Sequence, residues 1–325
     1  MGLDAVPLGR TGTKVSEIAF GTWRFGREDD TGDIEIGRDR AHALLDAYAD
    51  AGGRFIDTAD MYGEGRAERY IGDWLQDRDE DREDFVIASK IYWPTRKQGP
   101  NDRGLGRKHL RYSIDAILDR LQTEYVDLLY IHRWDDETPV EEFMATLNGF
   151  VEDGKVHYLG TSTFEPNAWK VAKANEIAER EGFEPFTVAQ PRYNAVNREI
   201  EGNYLEMAAG YDLGIVPWSP LAGGFLTGKY SRGEEPPEGS RGATDEMFRD
   251  SYLTDANFDA LEAIESVAAE TEATTTQVSL AWLVEHDQVT APIVGARTPE
   301  QLRENLAAAE VDLTQEQFDA IAQAK

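Results

Sequence analysis

Short apolar or β-branched runs alternate with longer amphipathic stretches from one end of the chain to the other. The short runs, at positions 18–21, 54–57, 85–90, 126–132, 158–161, 187–190, 214–217 and 290–294, have the length and composition of strands. Between them, apolar residues at helical spacing predict helices over 38–51, 67–75, 106–121, 139–153, 166–181, 201–210, two within 256–285, and 298–308. Several helix starts carry a capping signature. Thr138 precedes Pro139 with Glu141 at the capping-box position, Thr298-Pro299-Glu300-Gln301 repeats that logic, and Thr314 with Gln317 opens a last helix. Gly52-Gly53 and Gly154 are suited to helix stops.

Eight strand–helix units in 325 residues point to an α/β fold of one (β/α)8 barrel, residues 1–325 forming a single domain. Segments 3–8 and 14–18 flank Gly9-Arg10-Thr11-Gly12 and read as an N-terminal hairpin able to plug the bottom of the barrel. Two connections are long, 92–104 after the third strand and 219–255 after the seventh, and both fall where barrels of this kind carry function. A doubly wound sheet would want G-x-G-x-x-G after its first strand. Gly63-Glu64-Gly65 and Gly104-Leu105-Gly106 lack the third glycine and follow other strands.

Composition narrows the function classes. Asp and Glu number 62 against 33 Lys and Arg, a net charge of −29, which argues against nucleic acid or an anionic membrane as partner. The apolar fraction of 41% and the periodic segments exclude a disordered acidic chain. What remains is an acidic shell over an ordinary core, similar to proteins of salt-saturated cytoplasms. The expected result is a melting temperature that rises with molar KCl. No run is long and apolar enough to span a bilayer and no secretory signal stands at the N-terminus, so a cytoplasmic location is expected. Without cysteine there is no disulfide or thiolate chemistry, and the spacing of His42, His109, His157 and His286 suggests no metal site.

Charged and titratable groups gather at strand ends. Phe55-Ile56-Asp57 ends the second strand and Tyr62 lies in the loop beyond it. The third strand ends in Lys90 and the fourth in His132. Each alone has an ordinary explanation as a cap, a solvated ammonium or a core imidazole. Together, on consecutive strands, they suit one reaction. A phenol titrates near ~10 and is a weak acid at neutral pH. A neighbouring Lys90 ammonium would lower that value, Asp57 would hold the lysine charged, and His132 would hydrogen-bond a substrate oxygen that Tyr62 protonates.

On these residues the chain resembles the aldo-keto reductase superfamily over nearly its whole length. Asp57, Tyr62, Lys90 and His132 match the family tetrad position by position. Ala19-Phe20-Gly21-Thr22-Trp23 is similar to its first-strand turn, 154–162 to its fifth-strand segment, and 218–230 to the seventh-strand loop of the branch holding potassium-channel β-subunits and aryl-alcohol dehydrogenases. The segment 295–305 is similar to its adenosine-binding end, and 99–109 to a stretch of the channel-β-like and glyceraldehyde-phosphate-reducing branch.

The resemblance implies NADPH, or NADH, lying across the barrel mouth and an aldehyde or ketone, small, aryl or sugar-derived, as substrate. It implies cofactor contacts from Gly21, Thr22, Trp23 and Asp57, with Ser162 and Gln190 holding the nicotinamide amide and Trp218 as an apolar wall. Backbone amides of Ser219, Pro220, Leu221 and Gly223 (Pro220 lacking an N–H) and the Lys229 ammonium suit the pyrophosphate. Arg241 and Arg297 suit a 2′-phosphate, with Gly295, Gln301, Glu304 and Asn305 near the adenosine. Trp23, Met61, Trp93 and Trp134 would line the substrate side. One departure stands out: the family usually has Ser-Asn after the fifth strand, and here the pair is Ser162-Thr163, which loses an amide's paired donor and acceptor. Gly223–Lys229 also satisfies G-x-x-x-x-G-K, but Tyr230 follows where a phosphate loop needs Ser or Thr for Mg²⁺. The competing reading is a cofactor-binding regulatory subunit of the channel-β type with little turnover.

Overall fold

The structure is a computed structural model that describes residues 2–78, 81–95, 99–162 and 167–324. The hairpin forms from β1 (Ala5–Pro7) and β2 (Lys14–Ser16), paired antiparallel with Val6 opposite Val15. There follow β3 (Ala19–Gly21), β4 (Phe55–Asp57), β5 (Val86–Ile91), β6 (Val126–Ile131), β7 (Val156–Ser162), β8 (Phe186–Gln190), β9 (Gly214–Ile215) and β10 (Ile293–Val294). Among the described residues these eight make one parallel sheet in the order β10-β3-β4-β5-β6-β7-β8-β9. The ends of that order meet. Thr290 N–H donates to the Ile215 carbonyl at 2.7 Å and Ile293 N–H to the Pro217 carbonyl at 2.9 Å, closing a (β/α)8 barrel. The seventh and eighth strands are shorter ladders than their sequence runs. Pro217 and Pro292 have no N–H to give, so regular pairing stops beside them.

The helices are α1 (Arg38–Asp50), α2 (Arg66–Gln76), α3 (Arg107–Leu121), α4 (Val140–Glu152), α5 (Ala168–Glu181), α6 (Asn203–Gly210), α7 (Arg241–Thr244), α8 (Glu246–Tyr252), α9 (Asp255–Thr271), α10 (Thr275–Val284), α11 (Pro299–Leu306) and α12 (Gln315–Gln323). Two apolar cores result. The larger packs helices onto the outside of the sheet, with Trp74, Leu110, Phe143 and Trp282 among its buried members. The smaller fills the barrel, where Phe55, Leu128, Tyr130, Val188 and Val216 meet Leu8 and Val15 of the hairpin. The hairpin therefore closes the bottom. Gly9, at φ +54, sits so near the starts of β8 and β9 that a Cβ would fall 2.4 Å from the Gly214 nitrogen.

One capping expectation and one loop expectation are corrected. The Thr138 hydroxyl donates to Asp135 at 2.6 Å instead of capping α4, whose N-cap is Pro139, because Asp135 already organises that loop through the N–H groups of Leu105 and Glu137. The segment 219–255 is not a plain loop, since it contains α7 and α8, the latter capped by Asp245. Thr298 caps α11, and Thr314 with Gln317 makes a full capping box on α12, a feature worth about 1 kcal/mol. Thr274 with Gln277 makes another on α10 that the sequence reading passed over.

Candidate active site

At the C-terminal rim of β4, β5 and β6 three of the proposed residues touch. Lys90 is fully buried, and its ammonium donates to Asp57 Oδ2 at 2.5 Å, to the Thr58 carbonyl at 2.8 Å and to the Tyr62 hydroxyl at 3.2 Å. An ammonium has three protons and no lone pair, so these bonds exhaust it. Tyr62 therefore accepts from Lys90, and its own O–H remains to donate elsewhere. The other oxygen of Asp57 accepts from the Gln190 amide at 2.7 Å. Donors on both oxygens fit an ionised carboxylate. Thr22, also buried, gives its N–H and its hydroxyl to the Asp57 carbonyl, each at 3.0 Å, which ties the end of β3 to the end of β4.

The Tyr62 turn is held by backbone contacts. Asp60 N–H donates to the Lys90 carbonyl at 3.1 Å, and Tyr62 N–H to the Ala59 carbonyl at 3.1 Å. Gly63 has φ +55, and a Cβ there would meet the Phe25 carbonyl oxygen at 2.5 Å, so only glycine lets the turn dock against the segment that carries Trp23. His132 stands edge-on to the Tyr62 ring, centroids 5.9 Å apart. Its backbone N–H donates to the Ile91 carbonyl at 3.0 Å.

Electrostatics correct one expectation. Burial raises the Tyr62 pKa by more than Lys90 lowers it, so the phenol lies above its ordinary value and not below it. Burial also opposes the charge on Lys90, but Asp57 and then Tyr62 outweigh it and leave the ammonium more basic than usual. Burial first and Lys90 second push His132 well below the usual histidine range, so the imidazole is neutral at pH 7.

Asp60, fully buried, was not foreseen. Burial and then the nearby Glu68 hold its carboxyl well above the usual range, and among the described residues it finds no hydrogen bond beyond a weak approach from the Met61 N–H. Its folded pKa exceeds its unfolded one, so it costs stability as pH rises above about 4. Asp60→Asn is expected to raise the Tm at pH 7, with the gain shrinking toward pH 4; equal gains at both would show that Asp60 is ionised in the fold.

A second cluster lies beyond β9. A short turn, Ala222–Thr227, runs through left-handed residues at Ala222, Gly223 and Gly224, with Ser219 left-handed before it. A Cβ on Gly223 would sit 3.0 Å from Arg241 Nη1, and one on Gly224 3.2 Å from Lys229 Nζ. Both cations thus lean over a bare glycine surface, and among the described residues neither is in a salt bridge. In a chain with 62 acidic residues, two such cations side by side make a local concentration of positive charge. Arg297 joins them, its pKa lowered first by Arg24, then by burial, with Arg241 adding to the effect. Arg24, held by Glu35, is the member that sequence reasoning missed. The turn curls onto Ser219, so Ala222 N–H donates to the Ser219 carbonyl and Gly223 N–H to its hydroxyl.

The remaining positions are spread around the rim. Gly21 packs against Ile293, where a Cβ would fall 2.6 Å from a methyl carbon. Ser162 is buried and donates to the Gln190 carbonyl at 3.2 Å. The indole N–H of Trp218 is buried with no hydrogen-bond partner among the described residues, and the ring packs on the core inside the barrel. Asn305 holds the Gly295 carbonyl at 3.2 Å, and Gln301 accepts from the Arg297 N–H at 2.9 Å. Glu304 is exposed. Pro220 is buried and Leu221 packs on the outer core. Trp23 and Met61 are exposed, and Trp93 is half-buried against Tyr92. Trp134 turns its ring edge to Phe143 of α4, toward the helix layer. Thr163 lies outside the described residues.

A closed barrel whose mouth joins a carboxylate–ammonium–phenol chain to a cationic glycine turn belongs to the class of barrel oxidoreductases. Residues 17–325 match the aldo/keto reductase family. A probable voltage-gated potassium channel subunit beta of Oryza sativa subsp. japonica is 37% identical over 97% of this chain and 94% of its own. The uncharacterized oxidoreductase YrpG of Bacillus subtilis (strain 168) is 35% identical over 95% and 92%. Norsolorinic acid reductase stcV of Emericella nidulans is 36% identical over 94% and 77%. The chain belongs to the aldo/keto reductase family, whose members act on small carbonyl compounds with nicotinamide cofactors. Among the described residues no helix is long and apolar enough to cross a membrane.

Proposed function

We propose that this protein reduces an aldehyde or ketone to an alcohol with NADPH, reversibly, and that Tyr62 is the general acid. The observation that carries this reading is the exhausted ammonium of Lys90, which leaves the Tyr62 proton as the one to be given outward. The nicotinamide supplies hydride when bound. A phenol above its ordinary pKa holds its proton at neutral pH, ready for the oxygen of a carbonyl being reduced. Lys90 then stabilises the phenolate left behind, and Asp57 keeps Lys90 charged. Neutral His132 offers a hydrogen bond to the same oxygen and adds no charge.

The cationic turn supports NADPH over NADH. Lys229 and Arg241 over Gly223–Gly224 suit a pyrophosphate, and Arg297 with Arg24 and Arg241 suits the additional 2′-phosphate. Arg297→Met is expected to weaken NADPH binding by roughly tenfold or more while NADH binding changes little, read by quenching of protein fluorescence. Equal losses for both cofactors would remove the 2′-phosphate assignment.

A second reading comes from the relatives named as potassium channel β-subunits: a cofactor-bearing regulatory protein with little turnover. Stopped-flow oxidation of bound NADPH over a panel of aldehydes and ketones separates the two. Turnover supports the reductase; tight NADPH binding with no oxidation by any carbonyl supports the regulatory subunit.

A further inference from the structure

Directly beneath the Tyr62 turn lies a buried ion pair that the reaction scheme above does not use. Glu68, on the first turn of α2, is fully buried; Arg120, on the last turn of α3, is nearly so. Glu68 Oε2 accepts from Arg120 Nε at 2.6 Å, and Glu68 Oε1 accepts from the Ser89 hydroxyl at 2.6 Å. Ser89 immediately precedes Lys90 on β5. Strand alternation turns Ser89 to the helix layer and Lys90 to the barrel. The pair therefore grips the back of the strand whose front carries the ammonium.

Arg120 also reaches the other half of the site. Its side chain lies across Gly65, the last residue of the turn Tyr62–Gly65, where a Cβ would meet Arg120 Cδ at 2.7 Å and Nε at 2.9 Å. Gly65 has φ +84 and opens α2, so the guanidinium stem forms the floor on which the turn rests. The Tyr62 segment is then fixed at both ends, by Asp60 N–H on the Lys90 carbonyl and by Arg120 under Gly65. Stability alone is a poor reason for this arrangement. A buried ion pair is often no better for stability than apolar side chains of the same volume, and this one sits beside a third buried titratable group, Asp60.

We infer that the Glu68–Arg120 pair is a positioning device that sets the distance between the Tyr62 hydroxyl and the Lys90 ammonium. It acts through Ser89 on one side and the Tyr62–Gly65 turn on the other, and touches neither substrate nor cofactor. The inference rests on the reductase reading.

The test uses the full-length protein and an aldehyde that the wild type reduces. It measures kcat, KM, NADPH affinity, Tm and the pH dependence of kcat for Arg120→Met, Arg120→Lys and Glu68→Gln. Arg120→Met is expected to lower kcat by about 100-fold, the scale of a misplacement near 1 Å, with NADPH affinity and KM unchanged. Its kcat should also titrate at a different pH, because the phenol loses its fixed contact with Lys90. Arg120→Lys, which keeps the charge, should restore both kcat and the pH profile in large part, and Glu68→Gln should fall between them. A merely structural pair would lower Tm and leave kcat and its pH profile at wild-type values, and that result overturns the inference. Should Arg120→Met fail to fold, a wild-type kcat and pH profile in Glu68→Gln overturns it equally. No turnover by the wild type removes the reductase reading itself, and this inference with it.

Discussion

Replacing Tyr62 by phenylalanine is expected to lower kcat by about 10²–10⁴-fold, the range for loss of a positioned general acid, while NADPH affinity stays at the wild-type value. The change removes one oxygen from a half-buried ring and leaves the rest of the site in place. Lys90 keeps Asp57 at 2.5 Å and the Thr58 carbonyl at 2.8 Å, losing only its longest bond, the one of 3.2 Å to the phenol. The cost in stability should therefore be about 1 kcal/mol, that of one hydrogen bond. The cationic turn at Gly223–Gly224 stands on other elements and has no reason to respond. Single-turnover oxidation of bound NADPH with a reactive aldehyde gives the rate without interference from product release. A variant within tenfold of wild type would show that the proton comes from another group, and neutral His132 would be the next candidate.

Much of this site was legible because barrels convert strand periodicity into position. Once 54–57, 85–90 and 126–132 are read as consecutive parallel strands, Asp57, Lys90 and His132 must reach the same rim, and Tyr62 lies a few residues past one of them. What escaped depends on contacts that only closure creates. Gln190 binds Asp57 across 133 residues of sequence, and no local pattern announces it. Arg24 looks like one arginine among others until the barrel brings it to Arg297 and Arg241. Asp60, Glu68 and Arg120 carry no mark in the sequence, since a sequence gives no measure of how deep a group lies. The same blindness misjudged Tyr62. Its neighbour Lys90 was visible, but the burial that outweighs Lys90 was not. Thr138 erred in the opposite sense, carrying every mark of a helix cap while Asp135 took its hydroxyl.

Lys90→Met should damage stability as well as turnover, and the pH dependence of that damage identifies its cause. Among the described residues the ammonium is the only cation bonded to the buried Asp57 carboxylate, so the substitution leaves Asp57 with Gln190 alone. Breaking such a pair by removing one partner costs on the order of 3–5 kcal/mol when the remaining charge must stay ionised. Asp57 has an escape, because burial already raises its pKa and the loss of Lys90 removes the largest effect opposing that rise. In the variant it takes up a proton. Its folded pKa then lies above the unfolded value of about 4, so the folded state binds the extra proton and stability falls as pH rises through that interval. The difference in denaturant midpoint between wild type and Lys90→Met should therefore be small near pH 4 and grow toward pH 8. Adding Asp57→Asn to Lys90→Met should restore much of the stability at pH 8, since no buried carboxyl remains to be charged, yet leave kcat at the single variant's level. A pH-independent deficit, or a double variant no more stable than the single one, would mean that lost packing of the lysine stem and not the stranded carboxylate dominates.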